Sequence, residues 1–257
     1  MDAEKIRRLY VQSAGQQWSA SETLDFNSNI ELDAEARRVW IRLGSVLYTL
    51  EKMGLNVLTN MIAKAPRRLE SEDALLYLTM QSADEARHVF TIENYLTKLG
   101  KNPQDDRNYH ILGKIASMGF FQVENWLFST LFSENFASSF LRRAKAAQID
   151  PLGAQMCRHL LIDESRHIHF LHLVLPDVID RLSLAGRTYV RASQYFIMKF
   201  AERVSRALAD DAQIVGLDRR ELLEEVYTNV EKAYESFGVT RRFLHFPRIG
   251  GQVAGAS

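Results

Sequence analysis

Two short stretches of this chain place a carboxylate and an imidazole where they could share a metal ion. Asp84-Glu85-Ala86-Arg87-His88 recurs as Asp163-Glu164-Ser165-Arg166-His167, 79 residues later. On an α-helix, residues three apart lie on one face, one turn apart. Glu85 and His88 can therefore reach the same point, and so can Glu164 and His167. Carboxylate oxygen with imidazole nitrogen suits iron or manganese, with zinc as the competitor. Four fixed residue types in five positions arise by chance at roughly one position in 10⁵. Two copies in 257 residues therefore point to chemistry rather than coincidence. The bland alternative is a bundle with buried Glu–His and Glu–Arg pairs. It would have to compensate several enclosed carboxylates with cations, at considerable cost.

The elements that must position these residues are helices. Proline and glycine are scarce, at 5 and 13 residues, and the long stretches between them carry helical periodicity. After an irregular N-terminal arm to about residue 30, the pattern predicts helices at 32–64, 71–99, 120–148, 151–182, 187–209 and 218–236. Ala65-Pro66 closes the first, because the residue before proline is pushed away from helical angles. Ser71 is a candidate N-cap for the second, and Gly100 supplies its left-handed end. Asp150-Pro151 is a cap followed by proline at the first helical position. Residues 100–119, with Gly100, Pro103, Gly113 and Gly119, read as a crossover. The tail after Arg241 has no helical pattern and is expected to be a loose wrap.

Antiparallel helices joined by a short loop bring level those residues that are equidistant from the turn. The first turn centres near residue 68, so the partner of Glu85 falls at Glu51; the second centres near 149, so the partner of Glu164 falls at Glu134. Glu124 is the rival for that place, but its midpoint with Glu164 lies inside continuous helix at Ala144. A crossover of about 20 residues spans a helix length of roughly 30–40 Å and would make the second and third helices parallel. Asp84 and Asp163 stand beside the motif glutamates. Each is expected to accept the remaining N–H of the histidine on the opposite helix, with Arg87 and Arg166 balancing the buried acid. The reading is all-α: one domain over 1–257, with a four-helix bundle at about 32–182 and two accessory helices at about 187–236.

The repeated Asp-Glu-x-Arg-His with its two further glutamates resembles the ferritin-like di-iron carboxylate oxygenases. The motif form is similar to that of bacterial di-iron hydroxylases. The chain length and Glu134-Asn135-Phe136-Ala137 look more like the p-aminobenzoate N-oxygenases and aldehyde-deformylating oxygenases. The likeness covers roughly residues 35–180. It implies a ferritin-like four-helix bundle with a long crossover between helices two and three. It also implies metal ligation by Glu51, Glu85, His88, Glu134, Glu164 and His167, with two glutamates bridging two Fe ions, or a mixed Mn/Fe pair. Some positions depart from relatives. Ile92 stands where ribonucleotide reductase small subunits carry a radical tyrosine. Leu160, with His159 beside it, stands where the N-oxygenases carry an extra histidine, which leaves a seventh ligand open. Ser138 stands where the hydroxylases have a threonine.

The composition narrows the field. Lys+Arg and Asp+Glu are both 32, so formal net charge is zero, and no global field draws nucleic acid or an anionic membrane. The single cysteine, Cys157, excludes a disulfide framework and fits a core position in a reducing compartment. No apolar run reaches the roughly 18 residues of a membrane span, and Met1 to Arg8 lacks a signal-peptide pattern, so the expected location is cytoplasmic. His159, His169 and His172 read as surface or satisfied core histidines. Phe120, Phe121, Trp126, Phe128 and Phe132 read as core of the third helix. Tyr189, Tyr195, Phe196 and Phe200 form an apolar excess on 187–209 that would cap the bundle or meet a second copy in a homodimer. The leading expectation is a non-haem di-iron monooxygenase. It would act on a small organic molecule with O₂ and draw electrons from an external ferredoxin or reductase. Iron oxidation and storage, a Mn/Fe ligand-binding oxidase and a non-catalytic scaffold are the competing classes.

Overall fold

The computed structural model describes residues 1–65, 69–103, 123–147 and 149–239. Among these there is no strand. The helices are α1 (Ala3–Gly15), α2 (Ala20–Thr23), α3 (Ala34–Ile62), α4 (Glu72–Lys98), α5 (Val123–Ala146), α6 (Pro151–Arg181), α7 (Leu184–Ala207), α8 (Ala209–Ile214) and α9 (Arg219–Ser236). Side-chain caps start most of them. Asp33 accepts from the Ala36 N–H, Ser71 from Ala74, Asp150 from Leu152 and Gly153, Ser183 from Gly186, and Asp218 from Arg220 and Glu221. Each cap satisfies amides that have no partner within the first turn.

Helices α3, α4, α6 and α5 form a closed ring of neighbours: α3 packs on α4, α4 on α6, α6 on α5, and α5 on α3. Their core is split into two apolar clusters. One contains Leu58, Met61, Leu78, Phe128, Leu131, Phe170 and Val174. The other contains Leu43, Leu47, Ile92, Leu96, Leu141, Met156 and Leu160. Between them every bundle helix contributes buried polar residues: Glu51 on α3, Gln81 to His88 on α4, Glu134 on α5 and Asp163 to His167 on α6.

The order of the clusters along each helix sets its direction. α4 and α5 pass from the first cluster to the second, whereas α3 and α6 pass from the second to the first. α4 and α5 are therefore parallel. The expected crossover, including Ile111 to Met118, lies almost wholly outside the described residues, as do Phe120, Phe121 and the tail after Arg241.

The N-terminal arm is not irregular, contrary to the pattern-based expectation. It opens with α1, capped by Asp2, which buries Ile6, Leu9 and Ser13 on one face and packs on α4 and α6. Ile6, Leu9, Tyr10 and Ser13 follow the i, i+3, i+4, i+7 spacing of one helix face, a signal that the reading of an irregular arm passed over. After α6, two long helices appear as expected, with the six-residue α8 between them. α7 and α9 pack on α5, and α8 on α3. α7 leaves Tyr195, Phe196 and Phe200 exposed.

Candidate metal centre

The buried polar layer is built symmetrically around two histidines whose ring centroids are 5.9 Å apart. His88 Nδ1 lies 3.3 Å from Glu51 Oε2, and His167 Nδ1 lies 3.5 Å from Glu134 Oε2. Glu164 spans the pair, with Oε1 3.4 Å from His88 Nδ1 and Oε2 3.4 Å from His167 Nδ1. Glu85 does the same, with Oε2 3.9 Å from His88 Nδ1 and Oε1 3.4 Å from His167 Nδ1. Each of these two carboxylates therefore offers one oxygen to each histidine. Two sets of donor atoms, Glu51–Glu85–His88 and Glu85–Glu134–His167, each lie within 4.8 Å of one another.

Both histidines turn their other nitrogen outward to an aspartate of the facing helix. His88 Nε2 is 3.1 Å from Asp163 Oδ2, and His167 Nε2 is 3.3 Å from Asp84 Oδ2. With a proton on Nε2, Nδ1 presents its lone pair to the cluster. The aspartates are held in turn. Asp163 Oδ2 also accepts from Arg87 Nη2 and from Trp18 Nε1, both at 2.9 Å, and Asp163 Oδ1 accepts from Arg166. Asp84 Oδ1 accepts from Gln17 at 2.7 Å and from Arg87. Burial works to raise the Asp163 carboxyl, but the hydrogen bond and charge of His88, joined by Arg87 and Trp18, hold it well below the usual range. Asp84 is likewise lowered: burial opposes, and His167 and Gln17 prevail.

Inside the cluster Glu164 is lowered too, burial opposing and the neighbouring Glu134, His167 and His88 prevailing, but the other shifts run the other way. Glu85 and Glu134 are pushed well up, first by burial and then by the neighbouring carboxylates. Burial works to lower His88 and His167, yet the surrounding carboxylates raise both. Protons thus gather where cations are wanted, so metal binding should release them. Two further observations fit a metal rather than a self-satisfied polar core. Glu164 Oε1 and Oε2 and His167 Nδ1 are enclosed and make no hydrogen bond of acceptable geometry. The donors are also hard oxygens plus imidazoles, a set suited to iron or manganese.

The remaining sequence candidates separate cleanly. Glu124, ten residues before Glu134, stands about 15 Å away along α5 and belongs to neither donor set. The His159 ring packs on Trp18 at 4.9 Å and belongs to neither donor set. His172 meets the edge of Phe237 at 5.0 Å. Ser138 is one turn beyond Glu134, and its Oγ accepts from Arg142 Nη2 at 3.4 Å. Ile92 and Cys157 are core residues, and burial, with Asp150 adding to it, pushes the Cys157 thiol up to about 12. Trp126, Phe128 and Phe132 are also core.

Three residues that sequence reasoning missed complete the site. Gln81, one turn before Glu85, donates to Glu134 Oε1 at 3.2 Å; its i−4 spacing was the available signal. Gln17 and Trp18 come from the N-terminal arm, and no local pattern marks them. Beside the glutamates is a cavity of about 450 Å³, counting its open mouth, lined by Glu51, Glu85 and Glu134 together with Gly54, Gln81, Trp126 and Thr130.

The chain matches one family model and a set of solved structures. The model of the p-aminobenzoate N-oxygenase AurF family matches residues 45–235. No curated protein matches the chain. Among solved structures, a variant of an R2-like ligand-binding oxidase with aerobically reconstituted Mn/Fe cofactor is 17% identical, with TM-score 0.65, over 94% of this chain and 96% of that one. A second such variant is 16% identical, with TM-score 0.67, over 94% and 99%. A third, with aerobically reconstituted Fe/Fe cofactor, is 17% identical, with TM-score 0.63, over 94% and 95%. At this identity the likeness carries the fold, a ferritin-like helical bundle.

Proposed function

Since the chain belongs to the p-aminobenzoate N-oxygenase AurF family, we propose that it is a non-haem di-metal oxygenase that uses O₂ to oxidise a small organic molecule. Glu51, Glu85, His88, Glu134, Glu164 and His167 would be the ligands. The observation that carries this is the two-sided placement of Glu85 and Glu164, one oxygen toward each histidine, in an enclosed layer. Glu51 with His88, and Glu134 with His167, then cap opposite ends.

Two divalent ions, when bound by these residues, would supply two electrons and Lewis acidity to O₂. The chain's own groups prepare that chemistry. Asp163 and Asp84 hold each imidazole with its lone pair inward. Arg87 and Arg166 neutralise the two aspartates. Gln81 orients Glu134. The apolar clusters above and below keep bulk water from the layer, which strengthens every electrostatic term inside it.

Inserting one oxygen atom into a C–H or N–H bond and releasing the other as water takes two electrons and two protons besides the substrate. The sequence carries no flavin, nicotinamide or iron–sulfur motif, so we assign the electrons to an external ferredoxin or reductase. The structural relatives hold Mn/Fe or Fe/Fe pairs, and metal analysis decides which pair this chain takes. Among the described residues no helix is long and apolar enough to cross a membrane.

The test is anaerobic loading with Fe(II), alone or with Mn(II), followed by dialysis and elemental analysis. The expected stoichiometry is about two metal ions per chain, and exposure to O₂ should develop ferric near-ultraviolet absorption. Binding of one ion or none would refute the proposal.

A further inference from the structure

Resting on the di-metal reading above, we infer that Gln17 and Trp18 are positioning residues for the metal centre, and that docking of α1 and loading of the ions are thermodynamically linked. Neither residue belongs to a donor set. They lie in the segment 16–19 that joins α1 to α2. Three consecutive side chains there reach all four charged groups behind the histidines, Asp84, Arg87, Asp163 and Arg166. Gln16 Oε1 accepts from Arg166 Nη1 at 3.3 Å. Gln17 Nε2 donates to Asp84 Oδ1 at 2.7 Å, and Gln17 Oε1 accepts from Arg87 Nη1 at 2.5 Å. Trp18 Nε1 donates to Asp163 Oδ2 at 2.9 Å. The Trp18 ring also meets the Arg87 guanidinium, 5.0 Å from its centroid, and the His159 ring at 4.9 Å.

These contacts fall on the atoms that orient the ligands. Asp163 Oδ2, which takes the Trp18 N–H, also lies 3.1 Å from His88 Nε2. Asp84 takes Gln17 on one oxygen and faces His167 Nε2 with the other, at 3.3 Å. A carboxylate is planar, so a donor that fixes one oxygen fixes the second with it. Outer partners of this kind set the ring orientation of a ligating imidazole. The arm itself is held by a thin apolar contact. α1 has 13 residues and buries Ile6, Leu9 and Ser13, and a helix of that length is marginal on its own in water. Elements with few buried apolar contacts open well below the global unfolding free energy. The polar contacts of residues 16–18 are therefore a large share of what keeps the arm closed. Ligation holds the imidazoles, and through them the aspartates, in the orientation the arm needs, and docking does the reverse. Such coupling is reciprocal: the factor by which loading suppresses arm opening equals the factor by which docking tightens metal binding.

Two measurements on the full chain test the link: amide hydrogen exchange with and without Co(II) under anaerobic conditions, and Co(II) affinity from visible absorption against a competing chelator. In wild type, loading should slow exchange in α1 about ten-fold more than in α9, which carries no ligand. Gln17→Leu/Trp18→Phe should bind Co(II) about ten-fold more weakly. Its extra slowing in α1 should shrink to roughly two-fold or less, because the two factors are one coupling. If that double variant frees α1 even without metal, Trp18→Phe alone decides, since it keeps a ring against Arg87 and His159 and drops only the N–H toward Asp163. It should lose about three-fold or more in affinity, with α1 still protected. Equal slowing in α1 and α9 would show stabilisation of the whole fold and overturns the inference. Affinity within about two-fold of wild type in both variants also overturns it, and either result leaves the di-metal reading standing. A wild-type chain that takes up fewer than two ions refutes that reading, and the inference falls with it.

Discussion

Replacing Asp163 by asparagine changes one atom and no volume, yet it should damage both stability and metal affinity. Both carboxylate oxygens accept from N–H donors: Oδ2 from the Trp18 indole, Arg87 and His88, and Oδ1 from Arg166. The amide nitrogen of asparagine must replace one of them. At the Oδ2 position it would face three donors; at Oδ1 it would face the Arg166 guanidinium. The second arrangement is the less unfavourable, and it leaves Arg166, with a side chain 5% exposed, held only by Asp84 at 3.5 Å and by Gln16 at 3.3 Å. Removing one partner of a buried ion pair costs about 3–5 kcal/mol. At roughly 2–4 °C per kcal/mol for a chain of this size, the metal-free variant should melt about 6–20 °C lower than wild type by circular dichroism at pH 7. His88 would also lose its anionic partner, so metal affinity measured by competitive dialysis should fall about 10–100-fold. A melting shift below about 2 °C together with unchanged affinity would show that the aspartate network neither supports the bundle nor orients the histidine.

Three other substitutions probe separate parts of the account. Glu134→Ala should lower metal content below two per chain, whereas Glu124→Ala, about 15 Å along the same helix, should leave it unchanged; the reverse result would move the α5 ligand. Gly54→Ala adds a methyl that meets only Glu85 Oε2, at 3.9 Å, and removes a mid-helix glycine. The metal-free variant should be stabilised by about 0.5–1 kcal/mol, a rise of roughly 1–4 °C in melting temperature, and a fall in melting temperature would mean that the methyl does not fit. Cys157 is buried, and its thiol is pushed up to about 12, so at pH 8 only on the order of one molecule in ten thousand carries the thiolate. Native protein should therefore react with a disulfide reagent only as it unfolds, and prompt stoichiometric labelling would contradict its burial.

The helical fold was written in local rules. Caps at Ser71 and Asp150 and the 3.6-residue apolar period act over one or two turns, so the sequence alone determined about where the long helices lie. The duplicated Asp-Glu-x-Arg-His also gave two thirds of the donor set, because Glu and His three apart share a helix face in any context. Even Glu51 and Glu134 were legible, since hairpin symmetry about a short turn carries over from sequence distance to height in the bundle. Tertiary structure decided what depends on contacts between residues far apart in the chain. Trp18 meets Asp163 across 145 positions and Gln17 meets Asp84 across 67. Ile6, Leu9 and Tyr10 in α1 are spaced as on one helix face, but which helices that face meets, α4 and α6, is decided by the tertiary fold.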